Sequence, residues 1–590
     1  MVRIPLRPLA QILDFRGKGL DPDIVERHNI SKRHSSIEDQ NWQRSESRLF
    51  FMGLLFLIGF SLICVRMTVL ASSQTAEPFS EFSSVKAITQ RSNIIDRNGN
   101  ILATNLFTNA LYANPKIILQ PNRAVKELVR IFPELSESRL LTELTSDKSF
   151  LWLKKKISPE QQQAVHDIGE PGLLFGHREL RVYPNGSLAS HILGGAGFNN
   201  ESAVGADIVG RAGVEASFDQ FLRDPSRRGE PLQLSIDLSI QAATERVLAG
   251  GMDLLGAKGA SSIVMDVKTG EVISMVSLPN FDPNRRPGVL KSGDPSNSPL
   301  FNRAVQGVYE LGSTFKTFTA AKALDLELVN PETVIDFERK MIISGVTVRD
   351  EHYAGPSLTV ADIISKSSNV GTAILASKVG IENQKSFLES LGLFHPTTLE
   401  MTEARNIKPL IPAKWTDMSM ITISYGYGLS VSPLHLAVAY SSLVNGGNKV
   451  EPTILKKTTE SLGSRVISET TSHQIRKILR SVVRDGTATL GEVEGYSVGG
   501  KTGTAEKQKI GAAGYDDDRV VSTFASFFPS NDPRYVLVVS FDEPSYRIEK
   551  ESKRTAGWTA APVAAEIIRR IAPLLNLWPT PEDNETVQLK

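Results

Sequence analysis

Residues 49–65, Leu-Phe-Phe-Met-Gly-Leu-Leu-Phe-Leu-Ile-Gly-Phe-Ser-Leu-Ile-Cys-Val, run for seventeen positions without a charge, and after Arg66 the apolar character continues to residue 71. A segment of this length crosses a bilayer as a helix, because hydrocarbon offers its N–H and C=O groups no partner outside the segment itself. Arg66 can snorkel to the interface. Arg44 and Arg48 precede the run, Lys32 and Arg33 lie a little further back, and few basic residues follow closely. That asymmetry places the N-terminus in the cytoplasm and the bulk of the chain outside it. A cleaved signal peptide is the competing reading, and the long polar leader without an Ala-x-Ala-like site counts against it. Residues 1–48 mix charges and prolines with little apolar period, so a poorly ordered tail is expected there.

A chain of 590 residues is long enough for more than one domain. Its 66 Lys and Arg balance 65 Asp and Glu, which leaves no basic field for nucleic acid. The single cysteine, Cys64, sits in the apolar run, so neither an internal disulfide framework nor a cysteine-based zinc site can form.

From 72 to 235, short strand-like runs, turns and helices alternate. Residues 96–103 read as strand, turn and strand; 124–132 and 158–168 have helical spacing. No catalytic constellation assembles there, and a non-catalytic module is expected. Residues 232–237 alternate as a strand and 239–248 read as a helix. Two apolar strands, 261–265 and 271–276, flank a tight turn at 266–270. Helical segments dominate from 313 to 443. Strands follow near 496–499, 520–528 and 535–541, then an amphipathic helix at 560–575 and a tail at 576–590. The pattern predicts an α+β chain of several domains, with a sheet carrying helices beside a helical subdomain.

The chemistry starts at Ser313, three residues before Lys316 in Tyr-Glu-Leu-Gly-Ser-Thr-Phe-Lys (309–316). Positions i and i+3 share a helix face, so hydroxyl and amine can meet. A lysine with a depressed pKa can take the proton that makes serine a nucleophile. At the start of a helix the serine would also sit at the positive end of the dipole, where an oxyanion is stabilised. A chain of this length should hold about two or three such pairs by chance, and Ser83 with Lys86 is one. Two further motifs give the pair weight. Ser367-Ser368-Asn369 lies in an expected helical region, 360–379, and offers a second hydroxyl for proton relay and an amide to hold a lysine or a carbonyl. Lys501-Thr502-Gly503-Thr504, after two glycines, offers a strand edge with a cation and hydroxyls for a carboxylate. Lys-Thr-Gly also occurs at 268–270, where it serves a turn.

Residues 495–502 fit a phosphate loop, Gly-x4-Gly-Lys-Thr, and 495–499 fit Gly-x-Ser-x-Gly. Both need a helix next, and Gly503, Gly511 and Gly514 disfavour one. A nucleotide hydrolase is thus the rival from another class. A catalytically dead scaffold or an antibiotic sensor is a third reading, which the intact motifs and the short leader disfavour.

In this order the three motifs resemble those of the penicillin-recognising serine transpeptidases. One membrane span, a non-catalytic module and a C-terminal catalytic domain resemble class B penicillin-binding proteins over almost all of 49–575. Supporting blocks are 96–99 (Asp-Arg-Asn-Gly), 181–184 (Arg-Val-Tyr-Pro), 213–215 (Gly-Val-Glu), 302–304 (Asn-Arg-Ala) and 444–447 (Val-Asn-Gly-Gly). Residues 425–436, Tyr-Gly-Tyr-Gly-Leu-Ser-Val-Ser-Pro-Leu-His-Leu, are similar to the division-specific FtsI (penicillin-binding protein 3) branch rather than the elongation branch. Ser92 departs from the family, which usually has glycine there. The resemblance implies a cytoplasmic tail (1–48), a membrane helix (49–71), an elongated α+β periplasmic pedestal (72–235), a transpeptidase domain of antiparallel sheet, flanking helices and an all-helical subdomain (236–575), and a tail (576–590), anchored in the bacterial inner membrane.

It also implies a reaction. Ser313 attacks the carbonyl between the terminal D-alanines of a peptidoglycan stem peptide, with Lys316 as base beside a cationic Lys501. Ser367 relays a proton to the leaving D-alanine. Asn369 orients the donor peptide and Lys316, and Thr502 and Thr504 hold the terminal carboxylate beside Gly503. The N–H groups of Ser313 and Thr504 form the oxyanion hole. An amine of a neighbouring stem completes the cross-link, whereas water would make the enzyme a D,D-carboxypeptidase. β-Lactams acylate the same serine, and no metal or cofactor is called for. Implied partners are the glycan polymerase FtsW and the FtsQ, FtsL and FtsB proteins.

Overall fold

The computed structural model describes residues 8–72, 91–202, 205–343, 345–460, 462–509, 514–548 and 551–580. Ser83, Lys86 and residues 581–590 of the expected tail lie outside them. The chain divides into two compact units, Met1–Ala87 and Ile88–Lys590.

In the first unit the polar leader is helical rather than irregular. A helix at Leu9–Gly17 is followed by one of 50 residues, Asp23–Ser72, which enters the apolar span (Arg48–Thr68) unbroken. No Pro or Gly interrupts residues 23–52, Asp23 and Glu26 complement the dipole of the first turn, and Glu, Gln, Lys and Arg favour helix without an apolar stripe. The absence of that stripe made the segment read as a tail.

The second unit begins with a five-stranded sheet built on the long strand Ile101–Ala113, flanked by Leu151–Ile157 and Leu173–Val182. Helices Pro121–Ile131, Glu137–Leu144 and Pro159–His166 cover it, burying Leu111, Leu128, Phe132 and Val165. Ser158 opens the last with a reciprocal capping box through Gln161. Asp96 closes the turn expected within 96–103 by accepting from the N–H groups of Asn98 and Asn100, both at 2.8 Å. The strand expected at 232–237 is only Leu232–Gln233, which pairs in parallel with Ile94–Ile95 and so joins the C-terminal half to this sheet. Buried Glu215 locks the same region: Arg91 Nη2 lies 2.6 Å from its Oε2 and Arg181 Nε 2.6 Å from its Oε1.

The C-terminal half starts with α1 (Leu238–Leu254), capped by Asp237, and the hairpin β1 (Gly259–Asp266) and β2 (Val272–Leu278). Asp266 accepts from Lys268 N and Thr269 N, which confirms the second Lys-Thr-Gly as turn chemistry. Next come α2 (Lys316–Asp325) and α3 (Asn369–Val379) in the helical block. The helix expected over 360–379 is broken: Val360–Ser365 ends, Ser367 adopts φ +62°, and α3 begins after Ser368. The chain returns as β3 (Gly499–Gln508), β4 (Tyr515–Phe528) and β5 (Tyr535–Asp542), then α4 (Ala560–Ile571). The antiparallel sheet runs β3-β4-β5-β1-β2, leaving β3 at an edge. β5 and β1 are buried along their whole length, as central strands covered on both faces must be. The strand expected at 496–499 begins only at Gly499 and runs through the motif. That disposes of the phosphate loop, which needs a helix where β3 continues extended.

Candidate active site

Gly312–Phe315 forms one 3₁₀ turn that runs into α2, with Lys316 as the first α-helical residue. Gly312 has φ +54°, and a Cβ there would stand 2.5 Å from the Thr504 carbonyl oxygen. Only glycine lets the nucleophile's turn lie this close to the backbone of β3. Gly503 answers from the other side: a Cβ on it would meet the Leu311 carbonyl and lie 2.8 Å from Thr314 Cγ2. Below the turn, Phe315 and Phe318 are buried and meet edge to face at 5.2 Å. Tyr440 donates to the Thr314 carbonyl at 2.8 Å, fixing the floor. Ser313 therefore sits, half-buried, at the positive start of a helix whose lower face cannot shift without opening the core.

The three motifs converge. Lys316 Nζ donates to the Ser367 carbonyl at 2.6 Å and to its hydroxyl at 3.1 Å. Lys501 Nζ donates to the same hydroxyl at 3.0 Å and to the Thr502 carbonyl at 3.2 Å. The hydroxyl shared by both lysine amines is thus that of Ser367, not Ser313, whose Oγ makes no hydrogen bond among the described residues. A hydroxyl that accepts from two amines still has its own hydrogen to give. Both lysines are buried, 1% and 0% exposed. Burial pushes Lys316 down to about 7, against the opposing pull of Asp350 and Glu351. Burial and then the charge of Lys316 push Lys501 well below its ordinary value. Expected as the site's cation, Lys501 is instead driven toward the neutral amine, since two ammonium groups on one oxygen in a dry site repel.

Although expected to hold Lys316, Asn369 makes no hydrogen bond to it among the described residues. Its Nδ2 donates to the Arg349 carbonyl at 3.1 Å, which leaves its side-chain oxygen for a ligand. The Thr502 hydroxyl pairs with that of Thr487 at 2.8 Å, and Thr504 Oγ1 accepts from Ala556 N at 3.0 Å. Thr502 is buried and Thr504 half-buried on β3, and each keeps a rotatable hydroxyl. Sequence reasoning missed three contributors: Asp350, Thr487, and Glu310, whose Oε1 accepts from Gly428 N at 2.6 Å and from Tyr515 OH at 3.1 Å. Asp350 and Thr487 carried no local signal. Glu310 stands three residues before Ser313, but only the fold brings it against 425–428.

Residues 260–569 match the penicillin binding protein transpeptidase domain and residues 86–226 the penicillin-binding protein dimerisation domain. The chain is 35% identical over 498 residues to the probable peptidoglycan D,D-transpeptidase FtsI of Caulobacter vibrioides, covering 82% of each. It is 31% identical over 482 residues to the probable peptidoglycan D,D-transpeptidase PenA of Neisseria gonorrhoeae, covering 77% of this chain and 80% of the relative. Penicillin binding protein 3 of Mycobacterium tuberculosis, solved in complex with ampicillin, superposes with a TM-score of 0.65 at 26% identity, over 84% of this chain and 97% of that one. With a dimerisation domain ahead of a transpeptidase domain that together account for most of its length, this chain belongs to the class B penicillin-binding proteins.

Proposed function

We propose that this protein cross-links septal peptidoglycan as a D,D-transpeptidase of the FtsI type, through an acyl-enzyme on Ser313, and that β-lactams acylate the same oxygen. One observation carries the reading: a hydroxyl flanked by two buried amines from distant segments, beside a serine at the head of a buried helix. Neutral Lys316 takes the Ser313 proton as Oγ attacks the carbonyl of the terminal D-Ala-D-Ala bond. The N–H groups of Ser313 and Thr504, held together by the contact between Gly312 and β3, receive the oxyanion. The proton passes from Lys316 through the Ser367 hydroxyl to the departing D-alanine nitrogen, and Lys501 sets the poise of that relay. The arriving D-alanine carboxylate, bound by the Thr502 and Thr504 hydroxyls beside Gly503, favours protonation of Lys501 and supplies the charge that burial withholds. The Asn369 side-chain oxygen accepts from the donor peptide's backbone. An amine of a second stem then attacks the acyl-enzyme and releases Ser313.

The apolar helix anchors the protein in the inner membrane, with the N-terminus cytoplasmic and residues after about 71 in the periplasm, as the basic residues before the span favour. Residues 72–235 act as the pedestal and 236–575 as the catalytic domain. FtsW and the FtsQ, FtsL and FtsB proteins are the partners that the family likeness supports. Labelling with a fluorescent penicillin followed by peptide mapping tests the centre of this reading. One adduct is expected, on Ser313, and none after Ser313→Ala. An adduct on any other residue sinks it.

A further inference from the structure

Asp350 ends the hairpin Lys340–Ile343 and Val346–Arg349, and it is 2% exposed. Its carboxylate accepts from the Ser368 hydroxyl at 2.7 Å, from Asn369 N at 2.6 Å and from Val370 N at 3.0 Å. All three donors are neutral and belong to the start of α3, where the helix leaves N–H groups without internal partners. Ser368 already caps α3 by accepting from Gly371 N at 2.9 Å, so the carboxylate is not needed merely to start the helix. Immediately before the clasp lies Ser367, in the left-handed region at φ +62°, which a residue with a Cβ holds only when its surroundings insist. Its carbonyl and hydroxyl are the two oxygens that receive Lys316.

We propose that Asp350 is a positioning residue for the transpeptidation. By clasping the first residues of α3 it holds Ser367 in the left-handed turn that aims its carbonyl and hydroxyl at Lys316 and Lys501. The inference rests on the assignment of Lys316 and Ser367 to proton transfer. It also gives the buried charge a second effect. Lys316 faces Asp350 and Glu351 from the hairpin and Lys501 from β3, and the two carboxylates oppose the burial that favours its neutral form.

The test is the rate of penicillin acylation of the full-length protein in detergent, measured across pH for Asp350→Asn, Asp350→Glu and Asp350→Ala. The asparagine keeps an acceptor for the two N–H groups but removes the charge, so its acid limb moves to lower pH than in the parent. Alanine loses the clasp and acylates about tenfold or more slowly at every pH, the rate equivalent of one hydrogen bond to a charged group. Glutamate restores part of that loss. A parental pH profile for Asp350→Asn overturns the proposal, and so does a parental rate for Asp350→Ala. If the alanine variant does not fold, the asparagine profile decides alone. Failure of the underlying assignment looks different: labelling would survive Ser313→Ala in the otherwise unchanged protein.

Discussion

Two amines that donate to one serine hydroxyl impose a pH dependence whose sign can be worked out. Lys316 acts as a base only when neutral, and burial holds its value near 7. Penicillin acylation is therefore expected to rise with pH through a midpoint near 7 and then level off, as stopped-flow acylation would show; a profile flat across that range would remove Lys316 from the step. The same burial costs stability. Between about 7 and the ordinary lysine value of 10.5, the unfolded chain binds a proton that the native chain lacks, so this residue's contribution becomes more favourable as pH rises through that window. Lys316→Met keeps the buried stem and discards the ammonium. It should be more stable than the parent at neutral pH by roughly 1 kcal/mol or more, read as a higher unfolding temperature, with the gap closing toward pH 10.5, and it should take no penicillin. Ser313, Lys316 and Lys501 were legible because nucleophile chemistry leaves a local spacing. Asp350 was not, because a carboxylate nineteen positions ahead of Asn369 has no periodic relation to it; only the hairpin fold brings them together.

At the scale of elements, glycine sets how closely β3 approaches the nucleophile's turn. The strand edge expected at 501–504 is there, but Gly499, Gly500 and Gly503 lower the strand propensity of β3, so the apolar residues before them set the expected start at 496 although the strand begins at Gly499. The same residues are glycines because Phe527, Phe524 and the Leu311 carbonyl occupy the space a Cβ would take. Gly503→Ala should push the edge strand off Leu311 and Thr314 and slow acylation by about a hundredfold, the cost of roughly 1 Å of misplacement, while thermal unfolding changes far less. Gly250 provides the opposite case. It lies inside α1 with nothing within 4 Å of the place a Cβ would take, so Gly250→Ala should stabilise the fold by about 0.5–1 kcal/mol in denaturant titration and leave acylation alone. The break at Ser367 escaped sequence reading for a related reason: residues 360–379 carry helical spacing on both sides of it, and the turn is imposed from outside by the hairpin.

On the scale of the whole molecule, the blocks that carried the family likeness have physical tasks other than the chemistry. Arg91, Arg181 and Glu215 form a buried charge lock, with Asp219 at 2.7 Å from Arg91 completing it. Glu215→Ala takes the buried carboxylate from Arg91 and Arg181, leaving Arg91 to Asp219 and Arg181 to Asn105, and should cost about 3–5 kcal/mol in equilibrium unfolding, yet the protein that remains folded should acylate at the parental rate. Asn445 ties its turn to the Val267 carbonyl at 3.0 Å, and Arg303 donates to the Ser296 carbonyl at 2.6 Å. These residues hold loops to the sheet. The leader helix has a consequence of its own. At 1.5 Å per residue, the stretch from Asp23 to the start of the span adds about 38 Å of rod on one side of the bilayer. Because the helix continues into the candidate span without a break, a sideways force on its far end, where the helix Leu9–Gly17 adjoins it, would become tilt of the apolar segment within a bilayer.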